Sequence, residues 1–379
     1  MTDVDIQRLL DAAEAFNRYA EDFKSTAVPA VERCQVPWTA IPPLGADFGQ
    51  KYSAAWEALD LSIRAMPDLL GTIGKALNRV AHHYQGQEDQ NAKLFTAPGM
   101  PAPRDMSQDP GAGGYATQGG IWALSTASTV WGDAQAIKSM ADLVKQAKAA
   151  GSIMRGGAVP WGAALLAVVV AVDAFAVANM RDPTAYFSAG EGWSEVEKLL
   201  NAAVADLPRL SYDVVYKDPK WTGSGADAFY AFVNDDLDRT LAAMSSLNNA
   251  MQQACVEAAY SMMFSIIAYV AVSITTGTVC DLAKLIPDPT SVSQIAVTQA
   301  ALIMFVGYGI EILVSLGELY LFLTLAATQM NQSYDTLKQY LVGKDGKLDG
   351  GSLRLTVQET QSIASWEDGG WDRKQQQGK

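Results

Sequence analysis

The side chains able to carry proton, metal or nucleophile chemistry are few in this sequence and scattered along it. Only two histidines occur, His82 and His83. Neighbours on a helix diverge by about 100°, so this pair cannot converge on one metal or one reacting atom. The three cysteines, Cys34, Cys255 and Cys280, form an odd set without C-x-x-C spacing, which argues against a zinc site or a disulfide framework and for free thiols. If Cys255 and Cys280 share one helix, they lie about 37 Å apart, beyond the reach of a disulfide. The glycines of Gly111-Ala112-Gly113-Gly114 have no preceding strand to make a phosphate cradle, and no nucleophile elbow is found. No cofactor and no metal are called for, and an enzymatic function is not expected.

Three carboxylates, Asp173, Glu311 and Glu318, stand inside strongly apolar runs. A charged carboxylate at a bilayer centre costs at least ~2.5 kcal/mol, and burial should push its pKa up. They are candidate intramembrane or buried carboxylates. Two readings stay open: protonation by acid that permits insertion, or a polar seam between packed helices. Two spacing signals complete the set. Tyr84 and Glu88 stand four apart, on one face of a helix, and Tyr84 alone among the fourteen tyrosines has an acidic residue four positions later. Trp221-Thr222-Gly223 follows a Pro-containing loop, with glycine supplying backbone freedom and tryptophan a large apolar plug.

The elements that must position these residues are helical. Apolar side chains recur at three- and four-residue spacing from Ile6 to Ala27 and again from Phe48 to Tyr84, two stripes joined by the Pro37, Pro42 and Pro43 connector, with Pro29 expected to end the first helix. They predict an antiparallel hairpin over 1–95. Residues 96–120, rich in Pro, Gly and Ala, read as a linker. The third region, 121–342, is read as a helical domain with an amphipathic helix near 122–149, a Gly156-Gly157 break, an apolar segment over 158–180 and a helix from about Ser194 to Tyr212, where Pro208 marks a kink or an early end. A long helix after Gly225 carries Phe229, Val233, Leu237, Leu241 and Met244 at near-heptad spacing, predicting a second hairpin over about 192–256. Residues 258–279 contain no charge and are about long enough to span a bilayer; Pro287 and Pro289 close that segment, and one more apolar pattern runs from about Ser293 to Tyr340. The polar 343–379 stretch is read as a tail. The fold class is all-α, antiparallel helical hairpins within a long-helix bundle.

Composition narrows the function classes. A hydrophobic content of 49% in 379 residues excludes disorder for most of the chain, and a net charge of −13 without a basic cluster argues against a nucleic-acid partner. The first ten residues lack the basic region and apolar run of a secretory signal, so the expectation is an internal protein or one exported by a leaderless route. The apolar segments fit either a protein core or lipid.

The turn at Trp221-Thr222-Gly223, set between amphipathic helices over about Ser194 to Cys255, resembles the WXG superfamily of type VII (ESX) secretion substrates. In the first hairpin, Leu44-Gly45-Ala46-Asp47-Phe48-Gly49 and Tyr84-Gln85-Gly86-Gln87-Glu88 resemble ESX secretion-associated proteins of actinobacteria. The first hairpin departs from the pattern in lacking W-x-G, since Trp38-Thr39-Ala40 fails at the glycine. The long apolar helices are a further departure from short two-helix proteins that pair into four-helix bundles. The resemblance implies an export signal at Tyr84 and Glu88, a hairpin-turn motif at Trp221 and Gly223, secretion by a leaderless route, and as partner a type VII secretion ATPase or a small WXG-type helical protein, with a lipid membrane as a further partner and an oligomer left open. The alternative is a resident helical membrane or scaffold protein that binds such small partners.

Overall fold

The computed structural model describes residues 5–95, 163–218, 220–287 and 292–341; the linker at 96–120, the amphipathic stretch near 122–149, the Gly156-Gly157 break and the 343–379 tail lie outside them. The described residues are helical throughout, joined by short turns, without a strand. Helix α1 (Ile6–Asp22) starts on Asp5, whose carboxylate accepts the Arg8 backbone N–H at 3.0 Å, the expected use of an N-cap side chain. Pro29 does not end the helix. A π-turn over Phe23–Ala27 shifts the hydrogen bonding by one residue, and the chain continues as α2 (Val28–Arg33), with the proline in its first turn, where a missing N–H costs nothing.

Two 3-10 turns, Trp38–Ala40 and Pro43–Gly45, lead into α3 (Ala46–Phe95). It returns antiparallel to α1 with Gly71 against Ala20 and Gly74 against Asn17 and Ala13. Phe48, Tyr52, Leu59, Ile63, Met66, Leu70, Ile73 and Leu77 are all buried, so the apolar stripe read from spacing is the packed face of this first hairpin.

Beyond the gap come α4 (Ala163–Asn179), α5 (Thr184–Tyr216), α6 (Ser224–Ala231), a π-turn over Phe232–Leu237, α7 (Asp238–Ala283) and α8 (Val292–Leu341). The sequence placed the α5 start ten residues late, and Pro208 neither ends nor interrupts it. The helix runs on to Tyr216, with the Ser211 hydroxyl donating to the Pro208 carbonyl at 2.7 Å and receiving the Asn234 amide at 2.6 Å. Cys255 and Cys280 do share α7, and all three cysteines are buried and free.

The two hairpins pack on each other rather than standing apart. One hydrophobic cluster runs from Leu9 of α1 to Leu341 of α8. Between α2 and α5 the backbones come so close that a Cβ on Gly192 would sit 2.6 Å from Cys34 Sγ and 2.9 Å from the Ala30 carbonyl oxygen, so only glycine fits that crossing. Arg33 pairs with Glu195, and the Tyr19 hydroxyl donates to Asp206 at 2.5 Å, both across the same boundary.

Candidate functional site

A buried polar node holds the crossing. The Tyr52 hydroxyl donates to the Cys34 carbonyl at 2.6 Å and accepts from Trp193 Nε1 at 2.9 Å and from Cys255 Sγ at 3.3 Å. Burial pushes the Tyr52 hydroxyl well above its usual range and the Cys255 thiol up to about 12, the latter partly offset by the hydrogen bond to Tyr52. Protonated, inert groups of this kind serve as structural pins, not nucleophiles. The sequence reading missed Trp193; its one signal is a tryptophan preceded by Gly190 and Gly192, a large ring beside two positions that admit a neighbouring backbone.

Two of the sequence-selected pairs gather at one end of this body. Trp221 is 2% exposed and lies against Phe229, ring centroids 5.7 Å apart, and Phe229 meets Phe16 of α1 edge-on at 6.1 Å. Gly223 is the N-cap of α6 with φ 115° and ψ 175°, a region essentially closed to other residues. Beside this turn the Arg8 guanidinium bridges Asp5 at 3.0 Å and donates to the carbonyls of Lys217 at 2.7 Å and Asp218 at 3.1 Å, closing the C-terminal end of α5. The α1–α3 register set at Gly71 and Gly74 brings Tyr84 opposite the start of α1, hence to the same end. Tyr84 is half-buried and packs against the core, with His83 edge-on to its ring at 6.1 Å. Both histidines are exposed. Glu88 lies on α3 one turn further along; its side chain is outside the described residues.

The other selected residues sit at the opposite end, where α4, α7 and α8 pack together. Ser246 with Ser333 and Ser265 with Ser315, each pair 3.2 Å apart, set the antiparallel register of α7 and α8. Tyr260 thus falls level with Tyr320, and Tyr269 level with Glu311. Val172 of α4 packs on Gly309. Asp173 is buried and accepts a short hydrogen bond from the Tyr269 hydroxyl. Glu311 and Glu318 correct the expectation of burial: both are exposed on α8, because the buried seam of that helix uses Phe305, Ile312, Leu316 and Leu319 and turns the glutamates outward.

This end has an unusual surface. Of the exposed large apolar side chains among the described residues, all but Trp38, Tyr212 and Tyr216 belong to α4, the last two-thirds of α7, the following turn, or α8 up to Leu325. Among the described residues two helices are long and apolar enough to cross a membrane, and their most apolar windows are only 44% and 33% buried, whereas a core helix of a water-soluble protein would be mostly covered. The exposed polar positions Gln253 and Glu257 on α7 give way to Phe264 and Ile267 at the level where Gly45 meets Leu323 and Phe187 stacks edge-on against Tyr260 at 5.5 Å. From Tyr260 to Asp281, α7 rises about 31 Å, close to the ~30 Å of a hydrocarbon core.

The described residues offer little for chemistry. A cleft open to solvent between α1 and α3 is lined by Asn17, Thr72, Lys75, Asn78 and Arg79, without a nucleophile and base in contact. No group of three His, Cys, Asp or Glu gathers at metal-binding distance among the described residues. Comparison with models of known protein families, with curated proteins and with solved structures finds no match.

Proposed function

We propose that this chain is a non-enzymatic, secretion-associated helical protein of the type VII kind, which carries its export signal at one end and enters or rests in a membrane with the other. The reading is supported by the polarity of the molecule. The Trp221 turn and Tyr84 share one end, and the broad apolar surface of α4, α7 and α8 occupies the opposite one. Contiguous exposed apolar surface on this scale is what monomeric soluble proteins avoid, and lipid is a solvent that covers its apolar positions. The resemblance of Tyr84-x-x-x-Glu88 and Trp221-x-Gly223 to secretion motifs supplies the export half of the reading. The first hairpin packs on the second through Gly192, Tyr52 and Arg33, which supports a reading in which one chain supplies both hairpins that short WXG proteins bring together by pairing.

Immunoblotting culture filtrate, cytosol and carbonate-washed membranes of the native host, for wild type and Tyr84→Ala, tests the proposal. A filtrate signal that the variant loses supports export. A carbonate-resistant membrane signal equal in both favours a second reading, a resident membrane protein, for which the bilayer-matched length of α7 speaks. Recovery only in the cytosol, soluble without detergent, would overturn both.

A further inference from the structure

Within the apolar unit, α7 keeps polar side chains on its buried seam. Ser265, Tyr269, Ser273 and Thr276 follow one another at four- and three-residue spacing and are all buried, while outward positions of the same stretch include Phe264, Ile267 and Ile274. A core helix in water has the opposite arrangement. In a bilayer it is the expected one, since polar groups there turn to protein or to a water-filled cavity. The series rises about 17 Å from Ser265 to Thr276, more than half of a ~30 Å hydrocarbon core. Tyr269 stands about 14 Å from the level of Tyr260, near the midplane.

Each step of the series carries a group that can bond or pass a proton. Ser265 Oγ donates to the Ser261 carbonyl at 2.9 Å and lies 3.2 Å from Ser315 Oγ of α8. One turn on, the Tyr269 hydroxyl donates to Asp173 Oδ1 of α4. One turn further, Ser273 is fully buried, yet its Oγ has no hydrogen-bond partner among the described residues. A serine inside a helix can bond the carbonyl four residues back, as Ser265 does and Ser273 does not. A buried hydroxyl left unbonded is costly, and a water molecule is what proteins place at such positions. The other titratable groups of these helices stand elsewhere. On α7 there is no charged residue between Glu257 and Asp281, and Cys280 lies two turns beyond Ser273; α4 has no other charge; Tyr308, Glu311 and Glu318 of α8 are exposed.

We propose that this interior is a proton-transfer site, in which the Asp173 carboxyl exchanges protons with a water held by Ser273, so that the inserted chain conducts protons across the membrane. The inference rests on the membrane reading above. Carboxyl groups inside membrane-spanning units mark proton relays, and here the carboxyl, a hydroxyl that fixes it and a hydroxyl with unused bonding capacity follow within two turns of one seam. A proton arriving from the Ser265 and Ser315 side forms an O–H bond at Asp173 Oδ2. The carboxyl then gives a proton to the water on Ser273, and that water releases one of its own toward Thr276. One proton enters, one leaves, and the carboxylate is restored. The Tyr269 O–H bond is not broken; it goes on donating to Oδ1, which makes Tyr269 the positioning residue.

Proton uptake by liposomes tests this, with the purified full chain reconstituted in phosphatidylcholine and phosphatidylglycerol, a pH-sensitive dye entrapped and a potassium-diffusion potential as the drive. Flotation comes first, and a chain that does not float with the liposomes overturns the membrane reading and this inference together. With the chain floating, uptake should exceed that of protein-free liposomes. Asp173→Asn should lower the protein-dependent rate about a hundredfold, the order that a positioned proton carrier contributes, and Asp173→Glu should restore part of it. Ser273→Ala removes a hydroxyl that bonds no described residue, so a purely structural role predicts no change, whereas the proton site predicts a severalfold loss. Glu311→Gln should leave the rate as it is. If Asp173→Asn no longer floats, Ser273→Ala decides alone. A floating chain without proton uptake, uptake accompanied by loss of entrapped calcein, or a rate unchanged in either floating variant would overturn the proton site while leaving the membrane reading intact.

Discussion

The same helix, α7, passes through two regions that obey different rules. Between Asp238 and Cys255 it buries Leu241, Met244, Leu247 and Met251 and exposes polar positions such as Gln253, the division expected of a helix in water. Beyond Glu257 it still buries one seam, through Met262, Ile266 and Tyr269, but its exposed positions become Phe264, Ile267 and Ile274. The buried seam hardly changes in character; only the outward face does. What separates the body from the apolar end is therefore the solvent for which the outside is made, since packing is of one kind throughout.

Substitutions should break along that line. In the body, Trp193→Ala removes a fully buried ring and should cost about 3–5 kcal/mol, read as a lowered denaturant midpoint; retention of stability would mean that the crossing at Tyr52 does not hold the hairpins together. Gly223→Ala forces a side chain into a glycine-only backbone region and should cost about 1–3 kcal/mol without altering membrane partition. Tyr52→Phe leaves the Cys34 carbonyl and Trp193 Nε1 without their partner, a loss of about 1–3 kcal/mol.

Alkali should sharpen the same contrast. The Cys255 thiol is raised from 9.0 to about 12 by burial, so between those values the folded chain holds a proton that the unfolded chain has lost. Stability should then fall as pH rises through that window, and a pH titration of unfolding for wild type and Cys255→Ala should show the wild-type slope reduced in the variant. The smallest effect on folding belongs to the apolar end. Ile267→Ser, at a 45% exposed position, should change the unfolding midpoint in mild detergent by no more than about 0.5 kcal/mol yet shift the chain out of the membrane fraction, and a large loss of stability there would show that Ile267 is covered by protein.

Much of the fold was legible because spacing reports which side of a helix is apolar. The stripe from Phe48 to Tyr84 and the near-heptad run after Phe229 both predicted faces that are buried. The proline punctuation was misread at Pro29 and Pro208: Pro29 falls in the first turn of α2, where its missing N–H costs nothing, and α5 runs through Pro208 to Tyr216. That Glu311 and Glu318 would face outward and not be buried was hidden for a different reason. Their neighbours are apolar on every side along the sequence, so linear context could not say which seam of α8 would be covered.

The sequence by itself determined that the chain is helical, where most of its turns fall, that Trp221 and Gly223 would make a plugged turn, and that its thiols would not pair, because each of these follows from local periodicity, backbone preference or separation along one helix. Only the tertiary structure decided that the two hairpins share a core, that Tyr84 and the Trp221 turn lie at one end, and that the apolar helices leave a face open at the other. These depend on which surfaces meet between positions far apart in the chain, as Gly192 meets Cys34, and residue spacing along a chain carries no information about such distant contacts.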